Sequence, residues 1–155
     1  IAIDMVPAKL ELAKQFGATD GIDASLGGVV KQVKSLTNGR GVDHAIEAIG
    51  LKQTIEDAFG MLVKGGLATV VGMARYDLKV ELPAIAFLNE RRIQGSMMGG
   101  VRNGIDIPRY VDAYMKGRLK LDELIARRRP LGEINEAFDD MKTGALARTV
   151  LTFGT

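Results

Sequence analysis

The sequence predicts an α/β fold built on a doubly wound parallel sheet. Short apolar segments alternate with amphipathic helical segments in three successive units. The segment Leu67–Met73 (LATVVGM) is in addition a continuous apolar run. Such runs are typical of strands that are buried on both faces of a parallel sheet. Repeated strand–helix units place helices on both faces of that sheet, because their crossover connections are right-handed.

The first unit occupies the start of the chain. Ile1–Ile3 are apolar and predict a buried strand that ends at Asp4. Pro7 suits the first position of a helix, where its missing N–H needs no partner. Gly17 is expected to end this helix. A short strand near Gly21–Ile22 follows.

Two further units complete the predicted sheet. The apolar pattern indicates a helix over Gly28–Thr37, a strand over Val42–Gly50 and a helix over Gln53–Val63. The pair Gly65-Gly66 predicts a tight turn before the strand Leu67–Met73.

The remaining pattern is looser, and it contains no internal repeat, low-complexity segment or linker. We therefore interpret residues 1–155 as one domain. The expected elements after residue 73 are a short helix Pro83–Asn89, a strand within Arg91–Gly100, helices Ile107–Lys116, Leu121–Ile125 and Glu133–Lys142, and a last strand Arg148–Phe153.

Composition excludes several classes of function. The 155 residues are 46% hydrophobic and carry a net charge of +2, which gives no argument for a nucleic-acid partner. The basic run Arg127–Arg129 is interpreted as the solvated end of an element. No apolar stretch approaches the ~18 residues of a membrane span, and no signal peptide is visible. We therefore expect a cytoplasmic protein that binds neither membranes nor nucleic acid.

The residue types also argue against a metal site in this chain. There is no cysteine and only one histidine, His44. A catalytic zinc normally takes three protein ligands, mainly His and Cys. We expect no metal ligand among these residues.

Asp4 is the one residue whose position alone suggests binding chemistry. Ligands of doubly wound sheets bind outside the carboxyl ends of the strands. A carboxylate there can accept hydrogen bonds from both ribose hydroxyls of an adenine dinucleotide, and it repels a 2′-phosphate, which favours NAD over NADP. Two alternatives are that Asp4 only forms a turn, or that the fold serves another nucleotide chemistry, such as that of methyltransferases.

The glycine-rich fingerprint of such a site lies about 20 residues before the acid. No such fingerprint follows a strand in this sequence. We therefore expect Ile1 to begin the second strand of the sheet, with the first strand outside this chain.

Six segments, read in order, carry a family resemblance. Together they resemble the second half of the zinc-containing, NAD-dependent alcohol dehydrogenases of the medium-chain family, over residues 1–153. The resemblance implies a Rossmann-type doubly wound sheet lacking its first strand, a C-terminal helix–strand segment, and an N-terminal zinc-binding catalytic domain outside this chain. The segments are AIDMVPAKLELAKQFGATDGID, GVDHAIEAIG, GGLATVVGM, IQGSMMGG, LDELIARRRPLGEINEAFDDMKTG and ARTVLTF.

The resemblance assigns residues to the adenosine and pyrophosphate parts of NAD. Asp4 matches the ribose-binding acid, and Lys9 matches a lysine that reaches the adenosine ribose, although a solvent-facing lysine is an equal alternative. Ile49 and Gly50 match positions against the adenosine half. Arg148 matches an arginine that binds the pyrophosphate, a role suited to a guanidinium.

The same resemblance assigns residues near the nicotinamide. Val71, Gly72 and Met73 match the strand end that meets this ring, and the backbone of Ser96 and Met98 completes its clamp. Met73 and Met97 match positions that face substrate, which would give an apolar alcohol pocket. Their alternative is a role as ordinary core filler.

The expected function is the coenzyme-binding fragment of an oxidoreductase that transfers a hydride from a zinc-bound alcohol to NAD. The alternatives are a zinc-free, NADPH-dependent quinone reductase and a non-catalytic nucleotide-binding module. Asp4 and Arg148 disfavour the quinone reductases, which usually carry glycine-lysine at the latter position. By itself the chain is expected to be inactive and to hold no zinc, and the resemblance implies a homo-oligomer through Arg91–Gly95.

Overall fold

The computed structural model describes residues 1–144 and 146–153, which divide into two compact units. The terminal unit contains residues 1–25 and the described residues from 102 onward. The central unit contains residues 26–101. Every strand pairing in the described residues is parallel. The predicted α/β class with parallel strands is therefore confirmed.

The terminal unit begins with a strand–helix–strand motif. Strand β1 (Ala2–Asp4) leads into helix α1 (Pro7–Gln15), which returns the chain to strand β2 (Gly21–Asp23). Pro7 occupies the start of the helix, as the sequence predicts. The two strands pair in register, so that their last residues, Asp4 and Asp23, lie opposite each other.

The C-terminal part of the terminal unit repeats this arrangement. Strand β6 pairs in parallel with strand β7, and helix α5 lies between them in sequence. Helix α4 precedes them and starts four residues before the predicted Ile107. The elements are α4 (Asn103–Met115), β6 (Arg127–Pro130), α5 (Ile134–Thr143) and β7 (Thr149–Thr152).

Strand β6 is the element that the sequence did not predict, because its residues are almost all arginines. The structure pairs two of these arginines with helix α5 and with Glu133, which directly precedes it. Arg129 donates to Asp140 at 2.9 Å and to Glu133 at 2.7 Å, and Arg127 donates to Asp140 at 3.0 Å. The hydrogen bond from Arg129 lowers the pKa of the Asp140 carboxyl. Two arginines of the run are thus ion-paired, so the run is not a bare basic patch.

The central unit holds a three-stranded parallel sheet in the order β3-β4-β5. Its core is formed by apolar residues that are almost fully buried, among them Val33, Phe59 and Leu62. Phe59 also contacts Phe87, with 5.1 Å between the ring centroids. The elements are α2 (Val29–Leu36), β3 (Val42–Glu47), α3 (Lys52–Gly60), β4 (Leu62–Val70) and β5 (Arg92–Gly95).

The predicted tight turn at Gly65-Gly66 is wrong, because both glycines lie inside β4. Leu62 already pairs with Val42 of β3, so the strand begins there and not at Leu67. The register shifts between Val42, which pairs with Leu62, and His44, which pairs with Leu67. The extra residues of β4 form a bulge in which Gly65 adopts a φ of +75°.

Several other predicted elements are shorter than expected. The segments predicted as short helices near residues 83–89 and 121–125 are 3₁₀ turns over Ala84–Asn89 and Asp122–Leu124. Strand β5 ends at Gly95, and Met97–Gly100 form a turn in which Met98 and Gly99 have positive φ. No helix in the described residues combines the length and apolar character that a membrane crossing requires.

Strands β1 and β3 each have one unpaired edge among the described residues. β1 pairs only with β2, and β3 pairs only with β4.

Truncation of the buried Leu62 tests the core of the central unit. We expect Leu62→Ala in the full-length protein to lower the free energy of unfolding by about 2–5 kcal/mol, because the substitution leaves a cavity. Leu26→Ala is the matched control, since Leu26 is 78% exposed. It should cost less than about 0.5 kcal/mol. Denaturant unfolding measures both, and equal losses would contradict the placement of the core.

Candidate functional site

The loops that follow β3, β4 and β5 lie at one edge of the central sheet. The backbone N–H groups of Val71 and Gly72 donate to the carbonyl of Glu47 at 2.7 and 3.1 Å. The N–H of Ser96 donates to the carbonyl of Val70 at 2.9 Å. The three strand exits are therefore joined by main-chain hydrogen bonds at the carboxyl edge, where α/β sheets bind ligands.

Two glycines allow the first two loops to touch. Gly50 has a φ of +88°, and a Cβ there would lie 2.5 Å from the carbonyl carbon and oxygen of Met73. A Cβ on Gly72 would lie 2.3 Å from the backbone nitrogen of Gly50. No side chain fits at either position without displacing the opposite backbone. The pair thus fixes the contact between the loops.

The side chain of Glu47 binds the backbone of the loop that follows β3. The side chain is buried, with 4% of its surface exposed. Its Oε1 accepts hydrogen bonds from the N–H of Ile49 at 2.8 Å, the N–H of Gly50 at 2.7 Å and the hydroxyl of Thr54 at 2.8 Å. Sequence reasoning gave Glu47 no role in a site. The feature of the sequence that could have identified Glu47 is its position two residues after Ala45 on the same strand. Both side chains therefore point to the same, buried face of the sheet.

Apolar side chains line the same edge and are exposed. Met73 is 93% exposed and Ile49 is 57% exposed, and Val71, Met97 and Met98 are also exposed. The alternative in which Met73 and Met97 fill the core is therefore wrong for the described structure. Exposed apolar residues grouped at a ligand-binding edge are typical of a surface that another molecule covers.

The terminal unit presents Asp4 at the end of β1. Its Oδ1 accepts a hydrogen bond from the N–H of Val6 at 2.9 Å, so the residue does shape the turn into α1. Lys9 lies in the first turns of α1 and is half-buried. The turn thus uses one carboxylate oxygen of Asp4. The turn-forming role therefore does not conflict with the predicted ribose-binding role.

Asp23 is a second carboxylate at this edge that the sequence reasoning missed. It lies opposite Asp4 in the strand register. Its Oδ1 accepts from the hydroxyl of Ser25 at 2.6 Å and from the N–H of Ser25 at 2.9 Å, and these bonds lower its pKa. The Asp-x-Ser spacing directly after a strand is the signal that could have found it.

Arg148 lies immediately before β7 with an exposed side chain. Its carbonyl accepts from the N–H groups of Ala126 and Arg127 at 2.9 and 3.2 Å, which ties β7 to β6. The predicted coenzyme residues therefore divide between the two units. The terminal unit contains Asp4, Lys9 and Arg148, and the central unit contains Ile49, Gly50, Val71, Gly72, Met73, Ser96, Met97 and Met98.

The described residues do not fit a zinc site. No group of three His, Cys, Asp or Glu side chains in this part of the chain is placed to hold a metal ion. The sequence also lacks cysteine. The donor set that zinc prefers is therefore not provided by the described residues.

Comparisons with known proteins agree with the fold. A family model described as zinc-binding dehydrogenase matches residues 1–114. Alcohol dehydrogenase-like 5 of Arabidopsis thaliana is 37% identical over 155 residues, which cover 97% of this chain and 40% of the plant protein. Benzyl alcohol dehydrogenase of Acinetobacter calcoaceticus superposes with a TM-score of 0.92 at 28% identity, over 99% of this chain and 42% of that one.

A further solved structure bears on the coenzyme. A zinc-binding dehydrogenase of Sinorhizobium meliloti, bound to NADP, superposes with a TM-score of 0.77 at 28% identity, over 87% of this chain and 39% of that chain. This chain spans about two fifths of the length of each of these relatives.

A substitution at Gly50 tests the contact between the two loops. Alanine at a positive φ costs about 1–2 kcal/mol by itself. At Gly50 the new Cβ also meets the backbone of Met73, so we expect Gly50→Ala to lower the free energy of unfolding further and to weaken nucleotide binding.

Gly39→Ala is the matched control for this test. Gly39 has a φ of +82° and no atom within 4 Å of the position of a Cβ. Gly39→Ala should therefore lower the free energy of unfolding only by the cost of placing alanine at a positive φ. Thermal unfolding and nucleotide titration compare the variants, and identical behaviour would show that the contact between the loops is not tight.

Proposed function

This chain belongs to the zinc-binding dehydrogenase family, and we propose that it forms the coenzyme-binding part of an enzyme that transfers a hydride between an alcohol and NAD. The observation that carries the proposal is the joined pair of loops after β3 and β4, which are lined by exposed apolar side chains at the carboxyl edge of the sheet. No observation favours the quinone reductase or the non-catalytic module.

Residues of the central unit would hold the two ends of the dinucleotide. Ile49 and Gly50 would lie against its adenosine half. The backbone groups of Val71, Ser96 and Met98 would orient the nicotinamide carboxamide, since they lie at the strand exits that main-chain hydrogen bonds join. Gly72 keeps the loops close enough for both contacts. When bound, the coenzyme supplies the hydride acceptor.

Residues of the terminal unit would bind the polar parts of the coenzyme. Asp4 would accept from the ribose hydroxyls, since its Oδ1 alone is used by the turn to Val6. Lys9 would reach the same ribose, and Arg148 would pair with the pyrophosphate through its exposed guanidinium. The charge of Asp4 is our reason to propose NAD over NADP.

Met73 and Met97 would form part of the wall of an alcohol or aldehyde pocket, because their exposed side chains follow the strand ends that meet the nicotinamide. We propose that the zinc of the full-length protein is bound by residues other than the described ones, which lack a ligand cluster. The described residues alone would then not turn over alcohol. A cytoplasmic location fits the composition and is likewise proposed.

Replacement of Asp4 tests the coenzyme preference. In the full-length protein, we expect Asp4→Gly to raise the dissociation constant for NAD about ten- to a hundredfold, because a hydrogen bond to a charged acceptor is lost. Its affinity for NADP should rise, since the repulsion of the 2′-phosphate is gone. Michaelis constants for both coenzymes measure the shift.

Asp4→Asn is the control for the role of Asp4 in the turn. Asparagine keeps an oxygen that can accept from the N–H of Val6, but it removes the charge. It should still move the preference toward NADP. If neither variant changes the ratio of the two Michaelis constants, Asp4 serves only the turn.

We also propose a homo-oligomer that forms through Arg91–Gly95. Strand β5 pairs only with β4 among the described residues, so its other edge is unpaired. Unpaired edges favour pairing with another chain. Because the N–H of Ser96 points to β4, the N–H of the preceding Gly95 points to this open edge.

Proline at Gly95 tests this assembly. A Cβ at Gly95 meets no atom within 4 Å, so a side chain has room there within one chain. We expect Gly95→Pro to remove a donor from the open edge and to lower the molar mass in sedimentation equilibrium. Gly95→Ala retains the N–H and should leave the mass unchanged. A wild-type protein that is monomeric would overturn the proposal.

A further inference from the structure

Glu47 is the residue on which both loops of the central site are anchored. Its side-chain Oε1 accepts from the N–H groups of Ile49 and Gly50, which belong to the loop after β3. Its backbone carbonyl accepts from the N–H groups of Val71 and Gly72, which belong to the loop after β4. One residue therefore binds four backbone donors from two chain segments.

The Glu47 side chain presents one acceptor oxygen to several donors. Oε1 lies within 2.8 Å of three donors, two backbone N–H groups and the Thr54 hydroxyl. The residue is 4% exposed, so these donors replace the water that Oε1 would otherwise bind, whereas Oε2 is buried and has no hydrogen-bond partner among the described residues.

Loss of this side chain would release the first loop. The N–H of Gly50 is buried, and no other acceptor for it is present among the described residues. An unsatisfied buried donor favours any movement of the loop that reaches water. Because Gly50 packs directly against Met73, such a movement would also displace the loop after β4.

We propose that Glu47 is a positioning residue for the coenzyme, which fixes the backbone of the loops that receive its adenosine and nicotinamide ends. The inference rests on the proposed function, since it assigns those loops to the coenzyme. Glu47 does not touch the coenzyme in this account. Its side chain acts through the backbone of Ile49 and Gly50, and the loop after β4 follows through the contact of Gly50 with Met73.

The test uses the full-length protein and measures coenzyme and alcohol kinetics. Glu47→Ala should raise the Michaelis constant for the coenzyme by about tenfold or more, because two backbone donors lose their acceptor. At saturating coenzyme, kcat should change by less than about threefold, which is the pattern of lost binding and not of lost chemistry. Glu47→Gln keeps one acceptor oxygen and should lie closer to wild type than to the alanine variant.

Two further variants keep the test decisive. Thr54→Val removes one donor to Oε1 and should raise the Michaelis constant for the coenzyme by about threefold, even if Glu47→Ala does not fold. Asp57→Ala removes a carboxylate that accepts from the Gln53 side chain on α3, away from the loops. It should leave this constant unchanged.

The outcomes separate this inference from the proposed function. A wild-type protein that binds neither NAD nor NADP would overturn the proposed function and this inference with it. A wild-type protein that binds NAD, with coenzyme constants unchanged in Glu47→Ala or Thr54→Val, would overturn only the positioning role. Equal losses in Glu47→Gln and Glu47→Ala would also overturn it, because the retained acceptor oxygen should rescue binding.

Discussion

The hydrogen bonds to Glu47 are the interaction on which the central site depends. Parallel strands bring their carboxyl ends to one edge, but they do not by themselves fix the loops that follow. In this chain the side chain of Glu47 fixes one loop and its carbonyl fixes the other. The close approach of Gly50 and Gly72 follows from that arrangement. The site is therefore built from backbone groups that the buried Glu47 holds in place.

In the terminal unit, carboxylates also fix turns, but each accepts from fewer backbone N–H groups than Glu47 does. Asp4 and Asp23 each end a strand and each accept from a backbone N–H two residues later, at 2.9 Å in both cases. Both turns are local, so the carboxylates remain close to the edge where ligands bind. Farther along the chain, the ion pairs of Arg129 with Asp140 and Glu133 join a strand to the helix that follows it. Acidic side chains thus fix turns in this unit, and ion pairs fix the packing of a helix on a strand.

Some elements could be predicted from sequence because local physics determines them. The start of α1 at Pro7 and the end of β1 at Asp4 follow from a missing N–H and from apolar patterning. Strand β6 could not be predicted, because an arginine-rich segment becomes a strand only when α5 supplies its counter-charges. The predicted turn at Gly65-Gly66 is wrong, because Leu62 already pairs with Val42 and β4 runs through both glycines.

The sequence by itself determined the α/β class, the order of the strand–helix units and the residues that a family resemblance assigns to a coenzyme. The first two follow from short-range patterns of apolar and turn residues, whereas the coenzyme residues follow only from the resemblance of six segments to a known family. Only the tertiary structure decided that Glu47 is buried beneath two loops, that Gly50 touches Met73 and that Met73 and Met97 are exposed. These facts depend on contacts between strands that are far apart in the chain, and no local pattern specifies such contacts.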